Sequence, residues 1–403
     1  MKRGIISMLI TLAAMSAAKA DNIQEIHLDG SKRLGELIDR ESGIDSLIVS
    51  GRMTDEDFKD LGTFCNDTGV RGISLYDVEV GDGELPTCSF GYSLGDYQHR
   101  KDIKHVTLPK SLKAIGKYAL AGLNVGAIEL PETVEVIDDG AFRGSAVSHI
   151  QFPGALKEIG ADAFYHCLNL REVELPSGLT TIGDAAFALT GLEEIVLPES
   201  LRSLGYCAFN CDSLTKVVFP SGLEEIGHAV FANAPVKEVS WPDNLKAIRK
   251  AAFYSCALEG TLRLPDGVRY IEEEAFIWNN DLLEVILPAT LLSLSGDSFC
   301  NFSIKRLTCL ATEPPRMENP DENTEWMSHT TLYVPQGCAD RYRNSAGWNK
   351  FRDIQEITGT AIVTVTDKLE SDSRYFRLDG TVISKPQRGL YIHHGKKVLK
   401  AYQ

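Results

Sequence analysis

The chain has 403 residues, 43% of them hydrophobic and 24% charged, the proportions of a soluble folded protein, so wholly disordered and collagen-like chains are excluded. Removing Lys2, Arg3 and Lys19, together with the eight basic and four acidic side chains of residues 358–403, leaves 30 Lys+Arg against 52 Asp+Glu in residues 21–357, a net charge of −22. A body that acidic repels phosphate backbones, and nucleic acid is excluded as the expected partner.

Residues 1–20 start with Lys2 and Arg3, run apolar from Ile5 to Ala18, and end in Ala18-Lys19-Ala20, a small-x-small cleavage site. This predicts a secretory signal peptide with Asp21 as the first mature residue. The apolar run is shorter than the roughly 20 helical residues that span a bilayer. No Cys follows the cleavage site to carry a lipid, and no later stretch is apolar enough to cross a membrane. A secreted or cell-surface protein without a transmembrane helix is expected.

Residues 21–104 hold loose strand-like pieces, Ser46–Val49 and Gly72–Tyr76, around a predicted helix near Asp55–Phe64. They read as an N-terminal cap and one or two irregular first repeats. Within them Gly91-Tyr92-Ser93-Leu94-Gly95 fits the bare nucleophile-elbow pattern. The strand–turn–helix series that gives this pattern its chemistry is missing, which favours a loop.

From residue 105 to 310 the chain is periodic. Proline recurs at Pro109, Pro131, Pro153, Pro176, Pro198, Pro220, Pro242, Pro265 and Pro288, spaced by 22 or 23 residues. Phe142, Phe164, Phe187, Phe209, Phe231, Phe253, Phe276 and Phe299 keep the same beat, with Leu120 in the preceding register. Two further apolar columns, one led by Leu112 and Val134 and the other by Ile115 and Ile137, run between them. Such a period means a solenoid whose units stack on their neighbours. Val173-Glu174-Leu175 alternates like a short strand with one buried face, and Pro176 ends it for want of an amide donor. Leu179, Ile182 and Ala186-Phe187 then space their apolar groups for a short turn or helix. Six residues before each strand, Gly122, Gly144, Cys167, Leu189, Cys211, Asn233, Cys256, Asn279 and Asn301 form a column suited to a buried turn whose backbone needs partners. The Phe column is expected to form a continuous core spine.

Residues 311–357, with Pro314-Pro315, Leu332-Tyr-Val-Pro335 and Gly347-Trp348…Phe351, read as a C-terminal cap, and the acidic stretch Glu318–Glu325 as a solvated loop. Residues 358–403 break the period and reverse the charge. Ala361–Thr366, Tyr375–Leu378 and Gly389–Val398 read as strands joined by glycine turns.

The unit Leu170-Arg-Glu-Val173-Glu-Leu175-Pro176-Ser-Gly-Leu179-Thr-Thr-Ile182-Gly183-Asp-Ala-Ala186-Phe187 resembles the BspA-type leucine-rich repeats of Bacteroidetes-like surface and secreted proteins. The resemblance implies an α/β solenoid, with a parallel sheet on the concave face, short helices or turns on the convex side, and a cap at each end. It also implies a protein-binding or adhesion role. The unit departs from the pattern at Leu120, at Arg249 and Glu272 in place of the glycine after the Ile column, and at Trp241 in an inward strand position. The segment from Arg374 to Val398 is similar to the C-terminal tails of Bacteroidetes surface proteins, some of which sort or attach the chain. A small hairpin packed on the cap is the other reading.

Chemistry is sparse. There is no H-E-x-x-H, paired C-x-x-C or glycine-rich phosphate loop. His105 and His149 both face outward two repeats apart, about 10 Å at a strand spacing near 4.8 Å, which is too far to share a metal. No catalytic residue, metal or cofactor is expected. Of nine cysteines, Cys167, Cys211 and Cys256 sit in alternate repeats at a similar separation, beyond the roughly 7 Å that a disulfide allows. Cys65 with Cys88, and Cys309 with Cys338, stay open as cap disulfides.

The concave face is left as the binding surface. One outward column runs His105, Ala127, His149, Glu172, Glu194, Lys216, Glu238, Thr261, Glu284 and Arg306, and its neighbour runs from Thr107 through Glu174, Val196, Val218 and Ser240 to Ile286 and Thr308. Glu172, Glu174, Glu194 and Glu238, with Lys216, surround two exposed valines, Val196 and Val218. An apolar centre with a charged rim suits a protein ligand, a host matrix or cell-surface protein among them. Glycan capture is the alternative, although these columns carry no aromatic side chain. An enzyme ranks third.

Overall fold

The computed structural model describes residues 22–40, 43–90 and 103–357, and strand segments at 375–376, 382–383, 389–393 and 396–400. The signal-peptide segment, the Gly91–Gly95 motif and Ala361–Thr366 lie outside the described residues.

The chain forms a stacked array of about 14 turns built on parallel strands. The first turns carry the strands Ile23–Leu28, Ser46–Met53, Gly72–Val80 and His105–Thr107, paired in sequence order. The helix Asp55–Asp67 fills one connection and buries Phe58, Leu61 and Phe64. Its start is a capping box: the Thr54 amide donates to Asp57 at 2.9 Å, and the Asp57 amide to the Thr54 hydroxyl. Asp57 also accepts from the Leu34 amide at 2.8 Å. Burial pushes its carboxyl up, but the Leu34 and Thr54 donors outweigh this and hold it below the usual carboxylate range.

Two ladders run along the array. On the concave face, Ala127–Glu129 pairs with His149–Gln151. Glu194–Val196, Lys216–Val218 and Glu238–Ser240 form a second group, and Glu259–Arg263, Asp281–Leu287, Arg306–Cys309, Thr331–Val334 and Asp353–Glu356 a third. A separate ladder of two- and three-residue strands follows the Ile column, from Glu84–Leu85 to Ser203–Leu204 and again from Glu225–Ile226 to Arg316–Glu318. Between the ladders the carbonyl of each repeat proline accepts the amide three residues on, as in Leu156 to Pro153 and Leu201 to Pro198. The helical spacing within the repeat therefore resolves into turns, and no repeat from 105 to 310 contains a helix.

The Phe turn satisfies its backbone between repeats. The amide of each Phe donates to the residue just before the next Phe, Phe164 to Ala186 at 2.7 Å and Phe187 to Ala208 at 2.9 Å. Amides two residues to either side do the same, Asp162 to Asp184 and His166 to Ala188. This geometry places positions two before Phe (Asp162, Ala185, Ala229, Ala251) and two after it (Gly144, His166, Leu189, Asn233) in the left-handed region. The eight Phe side chains are fully buried and stack at 4.9–5.7 Å between centroids, within 15° of parallel. Phe152, Phe219 and Trp241, each just before a proline, pack edge-on against this spine.

Residues Gly122 through Asn301, one column by sequence spacing, divide into two in the structure. Gly122, Gly144, Leu189 and Asn233 are left-handed turn residues. Cys167, Cys211, Cys256, Asn279 and Asn301 instead donate from their side chains to the Phe carbonyl of the previous repeat, at 2.8–3.2 Å. Ser145 and Thr190, one place later in their repeats, contact Cys167 and Cys211 at 3.4 and 3.3 Å, and the Thr190 hydroxyl donates to the Phe187 carbonyl of its own repeat. One residue more or less in the turn shifts a capping residue by one place, which spacing alone cannot separate.

Val173–Leu175, the sequence's clearest alternating segment, forms no strand. No backbone hydrogen bond joins 172–174 to either flanking strand. The repeat ending there is a residue longer, 23 between Pro153 and Pro176. The same extra residue accompanies the break before Glu259–Arg263, between Pro242 and Pro265, whereas the break before Ala127–Glu129 has no such insertion.

Both ends are closed. Phe90 occupies the spine register five residues after Leu85, one turn ahead of Leu120, and is fully buried. At the far end Phe299 meets Trp326 at 6.3 Å, and Trp326, Phe351, Trp348 and Tyr342 form an aromatic cluster in which Trp326–Phe351 and Tyr342–Trp348 meet edge-to-face and Trp348–Phe351 stack. The Trp326 and Trp348 indoles donate to the Gly296 and Pro315 carbonyls. The acidic stretch is tethered rather than free: Lys350 donates to the Pro320 carbonyl and Asp321, and Asn319 to Glu273. Beyond the array, Tyr375–Phe376, Val382–Ile383, Gly389–His393 and Lys396–Lys400 form an antiparallel sheet.

All nine cysteines are free thiols, including Cys65, Cys88, Cys309 and Cys338. Cys309 accepts the Tyr342 hydroxyl at 3.2 Å and so has a partner other than Cys338. Burial pushes the Cys167 and Cys211 thiols up to about 12 and Cys309 to about 11. Iodoacetamide at pH 8 should leave Cys167, Cys211 and Cys256 unmodified in the native chain and label all nine in urea; a peptide cross-linked between any two of them by mass spectrometry would overturn this. The unfolded chain releases these protons from about pH 8.5 while the folded chain holds them, so their contribution to stability is lost as pH rises from there toward 12. Denaturant midpoints measured from pH 8 to 10 should fall accordingly. For the spine, Phe187→Ala should cost about 3–5 kcal/mol in urea denaturation, since both stacking partners lose a face.

Candidate functional site

The concave sheet sets the candidate residues in fixed rows. Glu194, Lys216 and Glu238 are register partners on adjacent strands, and so are Val196, Val218 and Ser240. Inward residues Ile195 and Val217 are buried beneath them. Glu172 and Glu174 stand exposed on the neighbouring turn where the sheet lapses.

An open groove runs across these turns, from Asn124 and Gly126 past His149, Arg171, Glu172, Glu193 and Glu194 to Lys216, Lys237 and Glu238. It brings together Glu172, Glu194, Lys216 and Glu238. Glu174, Val196 and Val218 lie on the adjacent row and do not line it. Its charges are interleaved: Lys216 Nζ lies 3.5 Å from Glu194 and Arg171 lies 3.6 Å from Glu193. The acidic rim expected from sequence is therefore a mosaic, with Glu172, Glu174 and Glu238 its acids outside those two ion pairs. Arg171, Glu193 and Lys237 precede each outward column by one residue, where strict alternation assigns an inward side chain. They are in fact at the strand mouth, before the alternation begins.

The apolar centre is smaller than expected. Val196 is 50% exposed, but Val218 is half-buried between its neighbours on the same row. Ile286 and Thr308, assigned outward by spacing, are buried. His105 and His149 are both exposed, and the Ser148 hydroxyl lies 3.0 Å from His149 Nδ1. Among the described residues no three His, Cys, Asp or Glu side chains are placed to hold a metal, and no helix is long and apolar enough to cross a membrane.

A parallel-stranded solenoid with a stacked Phe spine and a 22–23-residue unit defines a leucine-rich repeat protein. The BspA-type leucine-rich repeat region matches residues 95–211 and 206–313, in six copies, and these segments span more than half of the chain, which therefore belongs to that family. Among solved structures the chain is similar to the pneumococcal vaccine antigen PcpA, at 20% identity over 70% of this chain and 85% of that one, with a TM-score of 0.39. It is also similar to a leucine-rich repeat protein from Bacteroides ovatus, at 20% identity over 80% and 97%, TM-score 0.47. A leucine-rich cell surface protein from Faecalibacterium prausnitzii shows 19% identity over 80% and 85%, TM-score 0.39. A search of curated proteins finds no match.

Exposed ion pairs of this kind add little stability. Lys216→Ala should shift the unfolding free energy by less than about 1 kcal/mol, measured by urea denaturation; a larger loss would make the groove's charges part of the scaffold.

Proposed function

We propose that the chain is an exported, non-catalytic protein-binding module of adhesion type, which takes an extracellular protein, such as a host matrix or cell-surface protein, on its concave face. Glu172, Glu174, Glu194, Val196, Lys216, Val218 and Glu238 make up the contact surface. The observation that carries this reading is Val196: a half-exposed apolar side chain held on a paired strand, beside the charged row of Glu194, Lys216 and Glu238 in fixed register. Such a centre loses water on contact, while a charged rim sets orientation and partner choice. The signal-like segment Met1–Ala20 supports export to the secreted or cell-surface compartment, where such ligands are found. Family membership supports the protein-binding role.

The mosaic also specifies the partner's chemistry. Glu194 and Glu193 already have cationic neighbours, so Glu172, Glu174 and Glu238 are the acids left to meet a basic patch. Attraction of this kind acts mainly on association rate and weakens as salt shortens the Debye length, about 8 Å at physiological strength.

The test is capture of matrix and cell-surface proteins by the chain from Asp21 to Gln403, followed by surface plasmon resonance on what is retained. Val196→Asp should weaken binding at least tenfold without changing the circular dichroism. Glu174→Lys with Glu238→Lys should slow association and flatten its salt dependence. Undiminished affinity in Val196→Asp moves the contact off this face.

A further inference from the structure

Of the four tryptophans, Trp326 and Trp348 are fully buried and Trp241 packs on the spine, whereas Trp278 is 56% exposed. It sits on the Phe turn, not on the concave strands, two residues after Phe276, with a φ of 61°. That position is left-handed in seven of the nine repeats from Leu120 to Phe299, the exceptions being Cys211 and Asn301. Other repeats fill it with Gly122, Gly144, His166, Leu189, Asn233 and Ser255. The left-handed region disfavours bulky side chains, and an indole held half in water gains little from burial. Folding thus gives no reason for Trp278, and strain of this kind at an exposed side chain points to recognition.

Its surroundings give the ligand's class. Trp278 leans on Tyr254 of the preceding repeat, with centroids 5.1 Å apart and planes at 44°, so the two rings form a shallow open V. Backbone hydrogen bonds hold three turns in step beside them, Asn233 to the Tyr254 carbonyl at 2.8 Å and Ser255 to the Ile277 carbonyl at 2.7 Å. This lines up Asn233, Ser255 and Trp278 along one row. Asn233, brought onto this row by the ladder, and Asn280, two residues after Trp278, are both exposed, and their amides carry no charge.

We propose that Tyr254 and Trp278, flanked by Asn233 and Ser255, form a binding platform for a neutral carbohydrate on the turn side of the solenoid, separate from the concave face. The C–H face of a pyranose ring carries partial positive charge and matches the negative face of an indole or phenol. Amide and hydroxyl groups beside the rings match the sugar's hydroxyls. Two rings are far too small for a stable protein interface, which buries roughly 800 Å² on each partner. The −22 charge of residues 21–357 repels uronic-acid and sulfated glycans, which makes the ligand neutral.

Trp278 is the most exposed indole, so its fluorescence reports the site directly. The full chain is titrated with short neutral oligosaccharides of glucose, mannose, galactose and N-acetylhexosamine, with binding confirmed by calorimetry. At least one should quench the fluorescence saturably, Trp278→Ala should weaken it tenfold or more, and Asn233→Ala several-fold. Val196→Asp should leave it unchanged, which separates this site from the concave face. Trp278→Gly should raise Tm, since glycine relieves the left-handed backbone. The proposal is overturned if no oligosaccharide shows Trp278-dependent binding. It is equally overturned if Trp278→Gly lowers Tm, making the indole a packing residue, or if Trp278→Ala weakens only the protein ligand of the concave face.

Discussion

Everything in this molecule depends on the Phe turn. A turn that presents its amides at Phe and two residues to either side cannot satisfy them within its own repeat, because all three point along the solenoid axis to the next unit's carbonyls. Unpaired buried amides are costly, so each repeat is stable only against a neighbour in the same register. The Phe side chain fixes that register. Rings stacked about 5 Å apart and nearly parallel match the spacing that the backbone ladders impose. Side chain and backbone thus call for the same repeat distance.

The same constraint explains where the sequence is free and where it is not. A Cβ at Gly205 would come within 2.3 Å of the Asp184 nitrogen, and one at Gly183 within 2.5 Å of the Ala161 nitrogen, so those repeats exclude any side chain there. At Gly227 the nearest atom is 3.2 Å away. The column has opened by then, and one and two repeats further on Arg249 and Glu272 replace glycine without disturbing the register of Ala247 and Ile248 with Tyr270 and Ile271. Their side chains pair with each other at 2.6 Å and Arg249 reaches Glu225 at 2.7 Å, which turns a departure from the repeat into an inter-repeat tie. The ends are treated differently again. An array stacked on itself leaves a Phe face bare at its last unit, and four aromatic residues from 326 to 351 cover it, with both indole N–H groups bonded to carbonyls.

Much of this was legible from spacing alone. Five columns in register defined the solenoid, the buried spine and the inward strand positions, because burial repeats with the period. What periodicity could not convey was local. Phe90 stands 30 residues before Leu120 rather than 22, so counting passed over it, although it shares the spine. Cys167 and Gly144 aligned by distance to the next strand, yet one caps a carbonyl and the other supplies a left-handed turn. Val173–Leu175 had the ideal alternation and no strand; the turn that leads into it from Phe164 is one residue longer than the turn before it, which alternation does not register. For the candidate site, the outward rows of Glu194, Lys216 and Glu238 were readable from alternation. Lys216 pairs with Glu194 within that row, and a second ion pair, Arg171 with Glu193, lies one residue outside the alternating segment, where alternation does not find it. Half-burial of Val218 against exposed Val196 depends on the lateral neighbours each strand has, which one column cannot show.

The division of labour between inside and outside has a consequence for function. Because the inward columns and the amide ladder fix the fold, outward positions on both faces are released from it, and substitutions there change what the surface meets with little effect on what holds it together. The left-handed turn column illustrates the principle best: from Gly122 to Trp278 every position but Cys211 keeps a left-handed backbone, while the side chain passes from nothing through imidazole, an aliphatic chain, amide and hydroxyl to indole. A scaffold whose stability is a sum over repeat contacts tolerates this unit by unit. Two surfaces on one solenoid, a charged concave groove and an aromatic turn ridge, can then be tuned independently, since each repeat contributes one residue to both and neither residue belongs to the spine.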